Sequence, residues 1–308
     1  MINDSAENDA GHLFGLIAYE GAYYGNIGDE IQSLATLRFL PRVDYLIPID
    51  KLHSFRSPTG RPVKVVMNGW FSSDPDAWPP SADIEPLFLS FHLSGVGLED
   101  APYSGPNAGK AAADVWLEGE NLEYLKRVGP VGCRDLSTLH RLQEVGVESY
   151  FSGCLTLTLR SKLKQRMGQI AIVDVNADVD ALLATAPREV RSRVVLQSHL
   201  LKDPADWSQP MRFAKAQELV WLYSSCSLCI TSRLHCALPC LALGTPVIYV
   251  TTGRDPARLE GLEPLLNAMR PRDLADLRWT DWMSPAPNPD AYLALRESLV
   301  RRCSEFCE

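Results

Sequence analysis

Thr231-Ser-Arg-Leu-His235 brings two hydroxyls, a guanidinium and an imidazole together directly after the apolar run that begins at Ser227. That order reads as a buried strand, Ser227–Thr231, running into the first turn of a helix over Leu234–Leu243. Free backbone N–H groups and the helix dipole at such a junction attract an anion and lower an imidazole's pKa. His235 then suits proton transfer near neutrality, with Arg233 and Ser232 holding the anion. The plainer use of His235 is as a satisfied, half-buried side chain of the helix. Val131-Gly-Cys-Arg134-Asp135 makes a similar junction, a short strand followed by a helix pattern over Asp135–Val145. Arg134 is placed there to grip a phosphate or carboxylate bidentately, or else to pair with Asp135 or Glu144 at the surface. The third junction is Tyr23-Tyr-Gly-Asn26-Ile-Gly28-Asp29-Glu30, after the first strand and before the helix Asp29–Leu40. Its glycines let backbone approach a ligand, and Asp29 is positioned to cap the helix.

Further strand ends supply weaker candidates. His92 follows Leu87–Phe91, His199 follows Arg193–Gln197, and Asn68-Gly-Trp-Phe71 follows Val63–Met67, where its aromatics could stack on a sugar or fill the core. Arg254 and Arg258, after Pro246–Val250, add positive charge; His12, His53 and His140 read as surface or structural. No Gly-x-Gly-x-x-Gly, Walker or Gly-x-Ser-x-Gly pattern is present, which removes dinucleotide, Walker-type and α/β-hydrolase chemistry. Cys226-x-x-Cys229 lacks the second pair that a zinc site needs, and Asp74-Pro-Asp76 makes a poor divalent-ion pair. No metal and no cofactor is expected. The thiols read as packing residues.

The elements that must hold these loops alternate in kind. Leu13–Tyr19, Val63–Met67, Leu87–Phe91, Val147–Phe151, Ile170–Asp174, Arg193–Gln197, Ser227–Thr231 and Pro246–Val250 are strand-length apolar runs without polar alternation, as strands covered on both faces are. Helical patterns lie between them, at Asp29–Leu40, Ala108–Arg127, Asp135–Val145, Met211–Ser225 and Leu234–Leu243. Strand–helix alternation predicts an α/β fold of parallel sheets. The basic stretch Arg160–Gly168 carries no strand pattern, so two doubly wound domains are expected, 1–162 and 163–308, facing across a cleft where strand ends bind ligand. A length of 308 residues fits two domains.

Composition sets limits on the partners. With 38 acidic and 30 basic side chains the net charge is −8, which speaks against nucleic acid. The apolar stretch Cys236–Leu243 is eight residues long and holds Pro239, far short of the ~20 that a membrane span needs. Eight scattered cysteines and an acidic, polar start without a leader point to reduced thiols in the cytoplasm.

Taken together, the loops resemble the polysaccharide pyruvyl transferase family. The resemblance rests on Gly25-Asn-Ile-Gly-Asp-Glu30, Gly132-Cys-Arg-Asp-Leu-Ser-Thr138 and Ile230-Thr-Ser-Arg-Leu-His235 with Gly244-Thr-Pro-Val247, supported by Gln197-Ser-His199 and Arg258-Leu-Glu-Gly-Leu262. These segments occur in family order across about residues 13–270. The resemblance implies two Rossmann-like domains arranged as in GT-B glycosyltransferases, the first on the acceptor side and the second on the donor side. It implies transfer of the pyruvyl group of phosphoenolpyruvate to a saccharide, usually as a ketal, with loss of phosphate. On that reading Arg134 and Arg233 hold the donor and His235 moves the proton. Asn26, Gly28, Asp29, His92, His199, Ser232 and Arg258 contribute to substrate binding. The saccharide acceptor would be lipid-linked in some members, which brings a cytoplasmic protein to the inner membrane face. Two other readings share the architecture: a glycosyltransferase using a nucleotide sugar, and a non-catalytic saccharide- or anion-binding module.

Overall fold

The structure is a computed structural model and describes residues 11–20, 24–71, 74–95, 105–161, 163, 165–253 and 256–308. Its first sheet holds β1 (Leu13–Ala18), β2 (Tyr45–Pro48), β3 (Val63–Phe71), β4 (Ile84–Leu93), β5 (Val131–Cys133) and β6 (Ser149–Phe151). Between these strands run α1 (Ile27–Leu37), α2 (Ala112–Trp116), α3 (Gly119–Val128) and α4 (Leu136–Glu144). The second sheet holds β7 (Ile170–Val173), β8 (Val194–Gln197), β9 (Leu228–Thr231), β10 (Val247–Val250) and β11 (Asn267–Met269). Its helices are α5 (Val179–Ala184), α6 (Arg188–Arg191), α7 (Gln209–Ser225) and α8 (Leu234–Leu243), followed by α9 (Trp279–Met283) and α10 (Leu293–Cys307).

Both sheets are parallel throughout, as the uninterrupted apolar runs predict. The strand orders are β2-β1-β3-β4-β5-β6 and β11-β10-β9-β7-β8. Each sheet therefore steps outward from its first strand to its second, then reverses and continues on the other side. A crevice opens at the carboxyl ends of the strands where the order reverses, between β1 and β3 and between β7 and β9.

Several elements differ from the sequence reading. The helix expected from Ala108 to Arg127 is two helices, because Gly119 takes a left-handed φ of 54° between them. β2 and β11 are edge strands of four and three residues, too short and too mixed in polarity to stand out. Asn68–Phe71 does not follow a strand but completes β3; Asn68 is buried and its Nδ2 donates to the Gln32 carbonyl.

The halves share an apolar core. Ile27 and Ile31 of α1 belong to one cluster with Leu219 and Tyr223 of α7 and Leu238 and Leu241 of α8. Helix α8 is buried from His235 to Leu243, as its almost wholly apolar sequence requires. The C-terminal helix α10 returns to the first sheet, where Cys307 packs with Phe14 and Leu16 and Lys64 Nζ donates to the Phe306 carbonyl at 2.7 Å. All eight cysteines are buried and free of disulfides. Among the described residues no helix is long and apolar enough to cross a membrane.

Candidate functional site

A cavity of about 480 Å³ opens where the two halves meet, lined by Asn26 from the first half and by Asp174, His199, Ser232, Arg233, His235, Tyr249 and Arg258 from the second. Its walls are strand ends. Asp174 follows β7, Ser232 and Arg233 follow β9, and His199 lies just past β8. Arg254 lies outside the described residues.

The Asn26 loop is tied to the other half by backbone. Asn26 and Leu200 form an antiparallel bridge in which Ile27 N donates to the His199 carbonyl and Leu201 N to the Gly25 carbonyl, at 2.9 and 2.8 Å. Helix α1 is capped by Asn26, whose side chain accepts from Gly28 N, and not by Asp29. Asp29 and Glu30 thus sit in the first turn. Gly28 is required for close approach: a Cβ there would stand 3.0 Å from His199 Nδ1 and 3.1 Å from both Asn26 Oδ1 and His235 Cβ.

Arg233 is held rather than free. Its Nε donates to Asp174 Oδ2 at 2.8 Å, and the same oxygen accepts from His199 N at 2.9 Å. Asp174 has a left-handed φ of 43°, a conformation that aspartate tolerates better than most residues and that recurs at functional sites. Desolvation alone would raise its carboxyl pKa, but the His199 N–H, Ser198 and Arg233 outweigh that and hold it below the usual range. The Ser232 hydroxyl is occupied, donating to the Val250 carbonyl and accepting from Asn176 N. Arg258 lies 6.0 Å over the Trp70 ring and so reaches from the second half to the first sheet.

Arg134 is fully buried rather than at the surface, and neither it nor His92 is among the residues that line the cavity. Among the described residues none of its three guanidinium nitrogens has a hydrogen-bond partner; the closest charge is Asp135, 3.7 Å from Nε. Unpaired buried charge is costly, so a cation left in this state marks a place for an anion. His235 is also buried, and its Nε2 has no partner among the described residues. Burial first, then Arg134, Arg258, His199 and His92, lower its pKa well below that of free histidine, so it is neutral at pH 7. Asp29 keeps a partial opening yet is desolvated enough to be raised to about 6, against the pull of Arg258, Arg134, Arg233 and Arg212.

The two remaining histidines differ from each other. His199 Nε2 is bonded to the Tyr223 hydroxyl at 2.6 Å, and its backbone carries the inter-half bridge, so the ring has a structural partner. His92, near the end of β4, bonds Asp135 through Nδ1 at 2.6 Å and presents a bare Nε2. Asp174 and the buried Asp135 are the site residues that the sequence reading missed. Asp174 is the last residue of the expected strand Ile170–Asp174, and that position is the available signal.

A family model described as polysaccharide pyruvyl transferase matches residues 26–254, most of the chain. No curated protein matches. A crystal structure of a functionally uncharacterised protein from Klebsiella pneumoniae aligns over 80% of this chain and 88% of its own, at 14% identity and a TM-score of 0.41, a level that bears on neither fold nor function.

Proposed function

The chain belongs to the polysaccharide pyruvyl transferase family, and from that premise we propose that it moves the pyruvyl group of phosphoenolpyruvate onto a saccharide as a ketal, in a GT-B-like cleft. One observation carries the choice of an anionic donor: the fully buried Arg134, whose guanidinium has no hydrogen-bond partner among the described residues. Arg134 would take one anionic group of the donor, and Arg233 and Arg258 at the cavity wall the other. Charge-assisted contacts of this kind contribute about 1.5–3 kcal/mol each.

The proton chemistry follows from the same charges. Arg134 and Arg258 depress the proton affinity of His235 in the free protein. An anion between them offsets that field, so His235 becomes a competent acid only once the donor is bound. It then protonates C3, leaving C2 open to a saccharide hydroxyl, and phosphate departs against the arginines as the second hydroxyl closes the ketal. Gly28 and Asn26 set the distance between the first half and His235. The scheme draws its charge neutralisation from arginines and calls for no metal or cofactor. The acceptor would be met in the cytoplasm, at the inner membrane face where it is lipid-linked.

The test is thermal unfolding with millimolar phosphoenolpyruvate against UDP-, GDP- and CMP-sugars. A ligand bound only by the native state raises the midpoint by mass action. Phosphoenolpyruvate should do so selectively; a response to a nucleotide sugar alone would replace this reading with that of a glycosyltransferase.

A further inference from the structure

We propose that His92, oriented by Asp135, is the base that takes the proton of the attacking saccharide hydroxyl at its Nε2 atom. This rests on the transfer reading above and assigns the second of the two proton transfers it needs.

Geometry carries the assignment. His92 lies in β4, and Arg134 N donates to the Phe91 carbonyl beside it at 2.9 Å, so imidazole and guanidinium stand on neighbouring strand ends. Asp135 caps α4: its Oδ1 accepts from Thr138 N at 2.9 Å while Oδ2 faces His92 Nδ1 at 2.6 Å. Burial alone would raise this carboxyl, but the His92 bond first, then Arg134 and the N-cap bond from Thr138, hold it below the usual range. An ionised carboxylate against Nδ1 fixes the proton there and leaves Nε2 as a lone pair. That atom is buried and has no partner among the described residues. A histidine serving only the core should have its buried nitrogens satisfied; the Nε2 of His199, bonded to the Tyr223 hydroxyl, is satisfied in that way and the Nε2 of His92 is not. A carboxylate–imidazole pair with its outer nitrogen bare is the arrangement of a general base.

The groups facing His92 also time its action. Desolvation and Arg134, with a smaller push from Arg258, hold it down to about 4, against the upward pull of Asp135; His235 is a further cation when protonated. In the free protein the base is therefore weak. A donor anion on Arg134 offsets the largest opposing charge and strengthens it, so acceptor activation follows donor binding. The protons balance. His235 gives one to C3, His92 takes one from the first hydroxyl and returns it to His235 directly or through water, and the second hydroxyl's proton leaves with phosphate.

The test uses the whole protein labelled with 15N-histidine, titrated by NMR with and without saturating phosphoenolpyruvate. His92 should be the neutral Nδ1–H tautomer without donor, staying uncharged down to pH 5. Its proton affinity should rise at least tenfold with donor bound. His92→Gln should keep the donor's thermal shift while phosphate release in the presence of methyl glycosides drops at least 100-fold. Asp135→Asn, which preserves the helix cap, should show the same split. An Nε2–H tautomer in the free protein would overturn the proposal, as would a bound donor that leaves the His92 titration unmoved. If phosphoenolpyruvate fails to bind the wild-type protein, the transfer reading falls and takes this inference with it.

Discussion

Arg134→Met should make the protein more stable and blind to its donor. The guanidinium is fully buried, and apart from Asp135 at 3.7 Å, already bonded to His92 and Thr138, nothing charged lies against it in the described structure. Replacing poorly compensated buried ions with apolar side chains of similar volume is neutral or stabilising by about 1–4 kcal/mol. Methionine follows the same path with three rotatable bonds and fills the stem's volume. At roughly 2 °C per kcal/mol for a chain this long, the midpoint should rise by about 2–8 °C in an anion-poor buffer. The donor response should move the other way. At a donor concentration a hundredfold above its Kd, the wild type gains ~2.7 kcal/mol. Losing a charged contact of about 2.7 kcal/mol weakens binding ~100-fold and cuts that gain to ~0.4 kcal/mol. Differential scanning calorimetry with and without phosphoenolpyruvate reads both numbers on one sample. A variant destabilised by more than about 1 kcal/mol that still answers to the donor would refute the reasoning, because Arg134 would then be holding the fold and not a ligand.

Asp174 and Glu30 give two further tests. Asp174→Asn keeps an acceptor for His199 N and a residue suited to the left-handed φ, so denaturant melts should place it within about 1 kcal/mol of wild type. Asp174→Ala loses both and should cost roughly 2–3 kcal/mol; equal losses would remove the argument. Glu30 is buried against Gln209, and desolvation, strengthened by Asp29, raises it to about 8. Since the unfolded carboxyl titrates near ~4.3, the folded state holds an extra proton between there and about 8, and stability falls as pH rises through that window. Glu30→Gln removes this loss. Its advantage over wild type should be small at pH 4.5 and grow by up to ~1.4 kcal/mol per unit towards pH 8; a difference flat with pH would contradict it.

Both parallel sheets were legible in the sequence because each internal strand is covered on two faces and so is written as an unbroken apolar run. Arg134, Arg233, His235 and the Asn26 loop were legible for a related reason: each follows such a run, and strand ends in parallel sheets face the crevice. What escaped were pairings. Asp135 follows Arg134 in sequence and looked like its surface partner; its first partner is His92, 43 positions away, which only the β4–β5 neighbourhood brings within 2.6 Å. Arg258 reads in the sequence as added positive charge and, through the resemblance, as a substrate-binding residue; its approach to Trp70 depends on how the halves are set against each other and has no local signature. The burial of Glu30 against Gln209, 179 positions on, has no local signature.

The site is a set of groups that the free protein keeps in their less favourable state. Arg134 is charged and unpaired, His92 and His235 are held neutral, and Asp29 is pushed up towards its protonated form. Each penalty shares one cause, burial, and for the two imidazoles each shares one correction, an anion beside Arg134. On the transfer reading proposed above, binding energy at that point would be coupled to proton affinity at two others. The Asn26–Leu200 bridge and the close approach of Gly28 to His199 and His235 join the halves beside these groups. Such an arrangement persists only where the rest of the fold overcompensates, and the apolar core joining α1, α7 and α8 directly behind the site supplies the burial to do so.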